Sequence, residues 1–164
     1  MELQVLDRVH LDALLAFERE SRAWFAASIP DRGDACFAEF AERLDALLAD
    51  QAAGELAFHV LVDDDGAIIG RFNLVDLEDG TADVGYRVAE AVAGRGIATA
   101  MLRELCLRAR QEYGLTTLTA ATTHDNVASR KVLLRAGFTE VGPADPSKIG
   151  GGSGPAFRRD LDDL

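Results

Sequence analysis

The chain has 164 residues, 48% of them apolar and 27% charged, and a formal net charge of −11. That length and balance predict one domain with a buried core, and no apolar run approaches the roughly 20 residues of a membrane-spanning helix. The acidic surplus is the reverse of the basic stripe that nucleic-acid binding needs; it favours cationic partners such as amines or basic peptides, and also serves solubility alone.

The first ten residues, "MELQVLDRVH", are acidic and alternating, unlike a signal peptide, so a cytoplasmic setting is expected. Residues 2–6 predict a short strand. Leu14, Leu15, Trp24 and Phe25 predict a helix from Leu11, interrupted near "SIPDRGD" by Pro30 and Gly33. Phe37, Phe40, Ala41, Leu44, Leu47 and Leu48 recur at helical spacing, with Asp34 as N-cap. The period then falls to two. Phe58, Val60 and Val62 share a face, and Asp-Gly pairs at 65–66 and 79–80 signal hairpins, so residues 56–89 read as a three-stranded antiparallel meander.

A helix follows with Ala98, Met101, Leu102, Leu105 and Ala109 on one face, ended by Gly114. "LTTLTAATT" reads as a strand, "HDNVASRKVLLRAGF" as an Asx-capped helix stopped by Gly137, and "FTEVG" as another strand. Residues 143–155 form a Gly- and Pro-rich loop, and "AFRRDL" returns as a last strand before an acidic tail. Two strand–helix–strand units in this order imply an α/β fold, a mixed sheet with helices on both faces. Cys36 and Cys106 sit at apolar-periodic positions and read as core thiols; His10, His59 and His124 offer no ligand pair at helical spacing, so no metal is expected.

The residues of chemical interest lie where the third meander strand hands over to a helix, in "AGRGIATA". A helix N-terminus presents unpaired N–H groups and partial positive charge, which suits phosphate. Gly94, Gly96, Ala98 and Ala100 keep side chains clear, so that N–H groups from Arg95 through Gly96, Ile97, Ala98, Thr99 and Ala100 can reach a pyrophosphate. Arg95 adds a guanidinium and Thr99 a hydroxyl. The alternative is close packing of helix on sheet. No Gly-Lys-Ser/Thr follows, which excludes a Walker loop, and the dinucleotide GxGxxG is not matched.

"GYRVAEAVAGRGIATAML" followed by "NVASRKVLLRAGF" resembles the GNAT superfamily of acyl-coenzyme A N-acyltransferases, in particular its ribosomal-protein N-terminal (Rim-type) branch. The resemblance implies a mostly antiparallel sheet of about six to seven strands in a single acyl-CoA N-acyltransferase domain over residues 1–164. It also implies acetyl-CoA as cosubstrate. The family's Gln/Arg-x-x-Gly-x-Gly/Ala motif falls on Ala93 to Ala98, departing at Ala93. The backbone of Arg87, Val88 and Ala89 takes the role of pairing with the pantetheine arm. Asn126 matches the asparagine that hydrogen-bonds pantetheine, beside its plainer reading as a helix cap.

Family members attack the thioester directly with the substrate amine, so a base and an acid are sought. The family's tyrosine acid falls on Leu133, and the resemblance instead implies Ser129, whose hydroxyl otherwise bonds back to its own helix. Asp83 is the implied base, through water; alternation puts it with Gly85 and Arg87 on one face and Val84, Tyr86 and Val88 on the other. Glu18, Glu20 and His124 are further candidates. The acceptor groove maps to Glu18–Phe37 and Pro143–Pro155, the second read as a mobile lid or a flexible hairpin loop, with Glu18, Glu20, Asp31 and Asp34 as a negative entrance. The expected function is acetyl transfer to a protein N-terminal amine, by a monomer or homodimer. A small amine as acceptor, or a non-catalytic acyl-CoA sensor, are the alternatives.

Overall fold

A computed structural model describes residues 1–164. Its strands are β1 (Glu2–Val5), β2 (Ala57–Val62), β3 (Ile68–Glu78), β4 (Thr81–Val88), β5 (Thr117–Ala121), β6 (Thr139–Pro143) and β7 (Pro155–Asp160). They form one seven-stranded sheet in the order β1-β2-β3-β4-β5-β7-β6. Only β4 and β5 are parallel neighbours; every other adjacent pair is antiparallel. The mixed, mostly antiparallel α/β sheet matches the expectation, and the meander of residues 56–89 is β2–β4. Its second hairpin turns on Asp79 and Gly80, both with positive φ as a tight two-residue turn requires.

Period-two alternation divides the sheet between two cores. Phe58, Val60 and Ile68 face α1 (Leu11–Glu20), α2 (Arg22–Ala26), α3 (Asp34–Ala38) and α4 (Phe40–Ala52), burying Leu14, Phe17, Phe25 and Leu44. Leu61, Phe72, Leu74 and Val84 face α5 (Ile97–Gln111) and α6 (Val127–Arg135), burying Leu102, Leu105 and Leu133. Each fully buried Leu or Phe contributes about 1.5–3 kcal/mol to holding a helix on the sheet. Both cysteines are buried and unbridged, as their periodic positions predicted.

The two helices expected before β2 are four shorter ones. Ser21 separates α1 from α2, and Glu39 (φ −102, ψ 20) separates α3 from α4. Asp34 is the first residue of α3 rather than its cap; Gly33 takes the cap position, and the Asp34 carboxylate is held by Arg22 at 2.8 Å.

Candidate active site

The parallel ladder between β4 and β5 runs only from Thr81–Thr117 to Asp83–Thr119, while β4 continues to Val88. Beyond Asp83 the two strands part in a V. A groove of about 820 Å³ opens there, walled by Asp83, Gly85, Tyr86 and Arg87 of β4, Thr119–Ala121 of β5, and Asn126 and Ser129 of α6. The Ala89 N–H donates to the Ile69 carbonyl, so by antiparallel alternation the peptide groups of Tyr86 and Val88 point away from β3 into the V. This corrects the assignment of Arg87, Val88 and Ala89 as one set. Ala89 spends its N–H on β3 and Arg87 is turned the same way, which leaves Val88, with Tyr86, as the outward edge. The Val88 carbonyl accepts from the Trp24 indole at 3.1 Å, and its N–H has no strand opposite.

At the wide end of the V stands the N-terminus of α5. Gly94 and Gly96 have φ of +73 and +78, and a Cβ on either would meet nothing within 4 Å. Helix–sheet packing therefore does not explain them. They supply a left-handed turn and leave open space over the exposed backbone of Arg95 and Gly96 and the first N–H groups of Ile97, Ala98 and Thr99. Two expectations change. The Ala100 N–H already donates to the Gly96 carbonyl at 3.0 Å as the first helical bond, so Ala100 is not a phosphate donor. Thr99 is buried in the stripe of Leu102 and Cys106, which removes its hydroxyl and leaves its N–H.

Across the V, the Asn126 carboxamide caps α6 by accepting from the Ser129 N–H at 3.1 Å. Cap and ligand contact are compatible, since the cap uses the oxygen and leaves the NH₂ donors in the groove wall. Ser129 does not bond back to its helix: its Oγ pairs with the Tyr86 hydroxyl at 3.1 Å. Tyr86 stacks on Phe72 with 5.8 Å between centroids, and burial pushes its phenol up to about 12, so it remains a protonated donor at neutral pH.

On the opposite face, Asp83 accepts from the Thr119 hydroxyl and is paired with the Lys148 ammonium, which the segment between β6 and β7 brings across the groove. That pairing raises the Lys148 pKa. The segment Pro143–Pro155, read as a lid or a hairpin loop, is exposed over most of its length and anchored at its end: a Cβ at Gly154 would lie 1.9 Å from the Thr122 carbonyl, and the Ser153 carbonyl accepts from the His124 N–H.

The negative entrance is also corrected. Asp31 and Asp34 are tied to Arg22, and Glu18 is buried between Arg71 and Arg87. Glu18 is thus an ion-pair partner rather than a base, and Glu20 and His124 are exposed with no side-chain partner that would orient them.

A family model described as an acetyltransferase (GNAT) domain matches residues 1–139. The chain belongs to the GNAT acetyltransferase family. Among curated relatives, a putative ribosomal N-acetyltransferase, YdaF, from Bacillus subtilis (strain 168) is 35% identical over 82 residues, 49% of this chain and 45% of its own length. The match thus spans under half of that relative. Among solved structures, a ribosomal-protein-S5-alanine acetyltransferase from Vibrio fischeri superposes with a TM-score of 0.89 at 21% identity, covering 98% of this chain and 93% of its own. A RimJ from Mycobacterium smegmatis in complex with CoA-disulfide gives 0.87 at 21% identity, over 99% and 82%. These likenesses establish a shared GNAT fold.

In this GNAT chain the cradle at Gly94–Thr99 fits the diphosphate of coenzyme A: its donors are unpaired, its glycines leave space and Arg95 is free of ion pairs. Tyr86, Arg71 and Asn73 were missed by the sequence reading. Arg71 and Asn73 interrupt the apolar run "IIGRFNLV" at alternate positions, a signal that was legible. The Tyr86–Ser129 contact joins residues 43 apart and had none.

Proposed function

We propose that the protein is an acetyl-CoA-dependent N-acetyltransferase, a single domain working in the cytoplasm. It transfers acetyl to a primary amine by direct attack, with a protein N-terminal amine as favoured acceptor. The observation that carries this reading is the V itself. An open anion cradle at the start of α5, the outward edge of β4 that leads to it, and the paired polar groups that wall the groove follow one another along the splayed strand.

Acetyl-CoA, when bound, supplies the acyl group as an activated thioester. The residues Arg95 to Thr99 hold its diphosphate by backbone N–H groups and the Arg95 side chain, and the outward N–H groups of Tyr86 and Val88, with the Asn126 NH₂, hold its arm. Asp83 takes the proton of the acceptor ammonium through water. It already holds a primary ammonium, that of Lys148, so the acceptor displaces Lys148 to reach the same carboxylate. Ser129 donates its proton to the departing sulfur while Tyr86, kept neutral by burial, donates a hydrogen bond to the Ser129 oxygen and stabilises the charge left there until water returns the proton. The acid and base contacts are each worth about 100- to 1,000-fold in rate where they are made in the transition state.

Turnover of acetyl-CoA with a panel of N-terminal peptides, spermidine and amino acids tests the reading. Thiol release that depends on an amine supports an enzyme. Tight acetyl-CoA binding with no turnover on any amine would make the domain a sensor instead.

A further inference from the structure

A buried guanidinium and a half-buried one share one carboxylate on the acceptor face. Arg71, 6% exposed, and Arg87 each give Glu18 one hydrogen bond, at 2.5 and 3.2 Å, and occupy one oxygen apiece. Each guanidinium has further N–H donors with no protein acceptor. Arg32, in the walls of both the groove and the adjoining cavity of about 280 Å³, forms no ion pair. Glu18 is the one carboxylate paired with Arg71 and Arg87, and the neighbouring Asp31 is spent on Arg22, while Asp76, Asp83 and Asp145 line the same groove with Lys148. Unbalanced buried charge is costly. Desolvation accordingly lowers the pKa of Arg71 and brings that of Arg87 down to about 10.

A second observation adjoins the first. Asn73, one pleat along β3 from Arg71, has its carboxamide oxygen buried with no hydrogen-bond partner, and it stands in the walls of both hollows. It lies opposite Gly85, where the absent side chain leaves open space. In the ladder the pair Val75–Asp83 follows on one side of Asn73–Gly85 and Phe72–Tyr86 then Arg71–Arg87 on the other. An unmet hydrogen-bond acceptor therefore sits between the candidate base and the two arginines. Same-face neighbours along a strand are about 6.5 Å apart, and the side chains of Asp83 and Arg87 can lean across the open space at Gly85 to shorten the span between an amine and its carboxylate.

Resting on the reading of this groove as the acceptor site, we propose that the acceptor is an amine that also carries a carboxylate. The amine lies between Asn73 and Asp83 and the carboxylate on Arg87 and Arg32, which line the same groove, with Arg71 behind them on Glu18. A free amino acid and a polypeptide beginning with Asp or Glu share this chemistry. The arginines beside the amine position thus favour an acceptor with a nearby carboxylate over the basic peptides that the net charge favoured.

The test is acetyl-CoA turnover over matched amines: alanine against alanine amide, and Asp- or Glu-initiated peptide amides against their Asn or Gln counterparts, with spermidine as the cationic comparison. Carboxylate-bearing acceptors exceed their neutral matches in kcat/KM by about 10-fold or more, the scale of a charge-assisted hydrogen bond. Preference within the first pair identifies a free amino acid, and within the second an acidic N-terminus. The preference falls towards unity in Arg32→Gln and Arg87→Gln. Should Arg87→Gln unfold by freeing Glu18, the exposed, unpaired Arg32 carries the test, together with calorimetric titration of propionate, a lone carboxylate, onto acetyl-CoA-saturated protein. Propionate binds the wild type and is weakened in Arg32→Gln. Equal turnover of acidic and neutral amines, or a preference for spermidine, with normal acetyl-CoA binding overturns the carboxylate assignment and leaves acetyl transfer standing. Failure to bind acetyl-CoA at all overturns both.

Discussion

Replacing Gly96 by Gln and by Glu separates the roles that its position combines. Its φ of +78 is a left-handed backbone, which costs any other residue about 1–2 kcal/mol. For a domain of this size that lowers Tm by about 2–8 °C, nearly equally for the two variants, because a Cβ there meets nothing within 4 Å. Their binding differs. Gln only occupies the cradle, whereas Glu adds a negative charge beside the diphosphate. At about 5 Å each charge pair repels by about 0.8 kcal/mol in water and about 3.3 kcal/mol at an effective dielectric of 20. With two phosphate charges, Gly96→Glu binds acetyl-CoA at least about 10-fold more weakly than Gly96→Gln, and raising salt narrows the gap as screening shortens. Calorimetric titration reads both affinities and thermal melts read the strain. Wild-type affinity in both variants would falsify the placement of the diphosphate at α5.

Three further outcomes follow from the geometry. Ser129→Ala lowers kcat by about 100-fold with acetyl-CoA affinity little changed, and Tyr86→Phe lowers it less, since Ser129 retains its own proton; equal rates for Ser129→Ala and wild type in stopped-flow thiol release would return Ser129 to a structural role. Asp83→Asn reduces kcat/KM by about 100-fold and weakens its dependence on pH in steady-state assays, whereas an unaltered pH profile points to another base. His59 is fully buried, bonded to the Phe72 carbonyl and the Tyr113 hydroxyl, and desolvation lowers its pKa to about 4. Since the unfolded state binds a proton from about pH 6.5 and the folded state only near 4, its contribution is full above pH 6.5. As pH falls through that window up to about 3 kcal/mol is lost. Melts of the wild type therefore fall in Tm from pH 7 to pH 4.5 more steeply than those of His59→Gln, and parallel curves would contradict the shift.

Local signals carried most of the fold into the sequence. Period-two runs gave β2 to β4, the two Asp-Gly pairs their turns, and helical spacing gave α5 and α6. The open turn proposed as the cofactor cradle was legible for the same reason, because a glycine pair at a strand–helix junction is a short-range feature of backbone conformation. Where the reading failed, a long-range partner had taken the group in question. Asp34 caps nothing because Arg22 holds it, Glu18 is no base because two arginines enclose it, and Ala100 is no donor because its own helix uses the N–H.

The sequence by itself thus determined the order of strands and the glycine turn at the start of α5, both written in neighbouring residues. Tertiary structure alone decided what stands across the groove: Tyr86 on Ser129, Lys148 on Asp83, and Arg71 with Arg87 on one glutamate. Those contacts join residues 43 to 69 apart, and they exist only because β4 and β5 part after Asp83 and bring α6, the segment before β7 and α1 to the same opening.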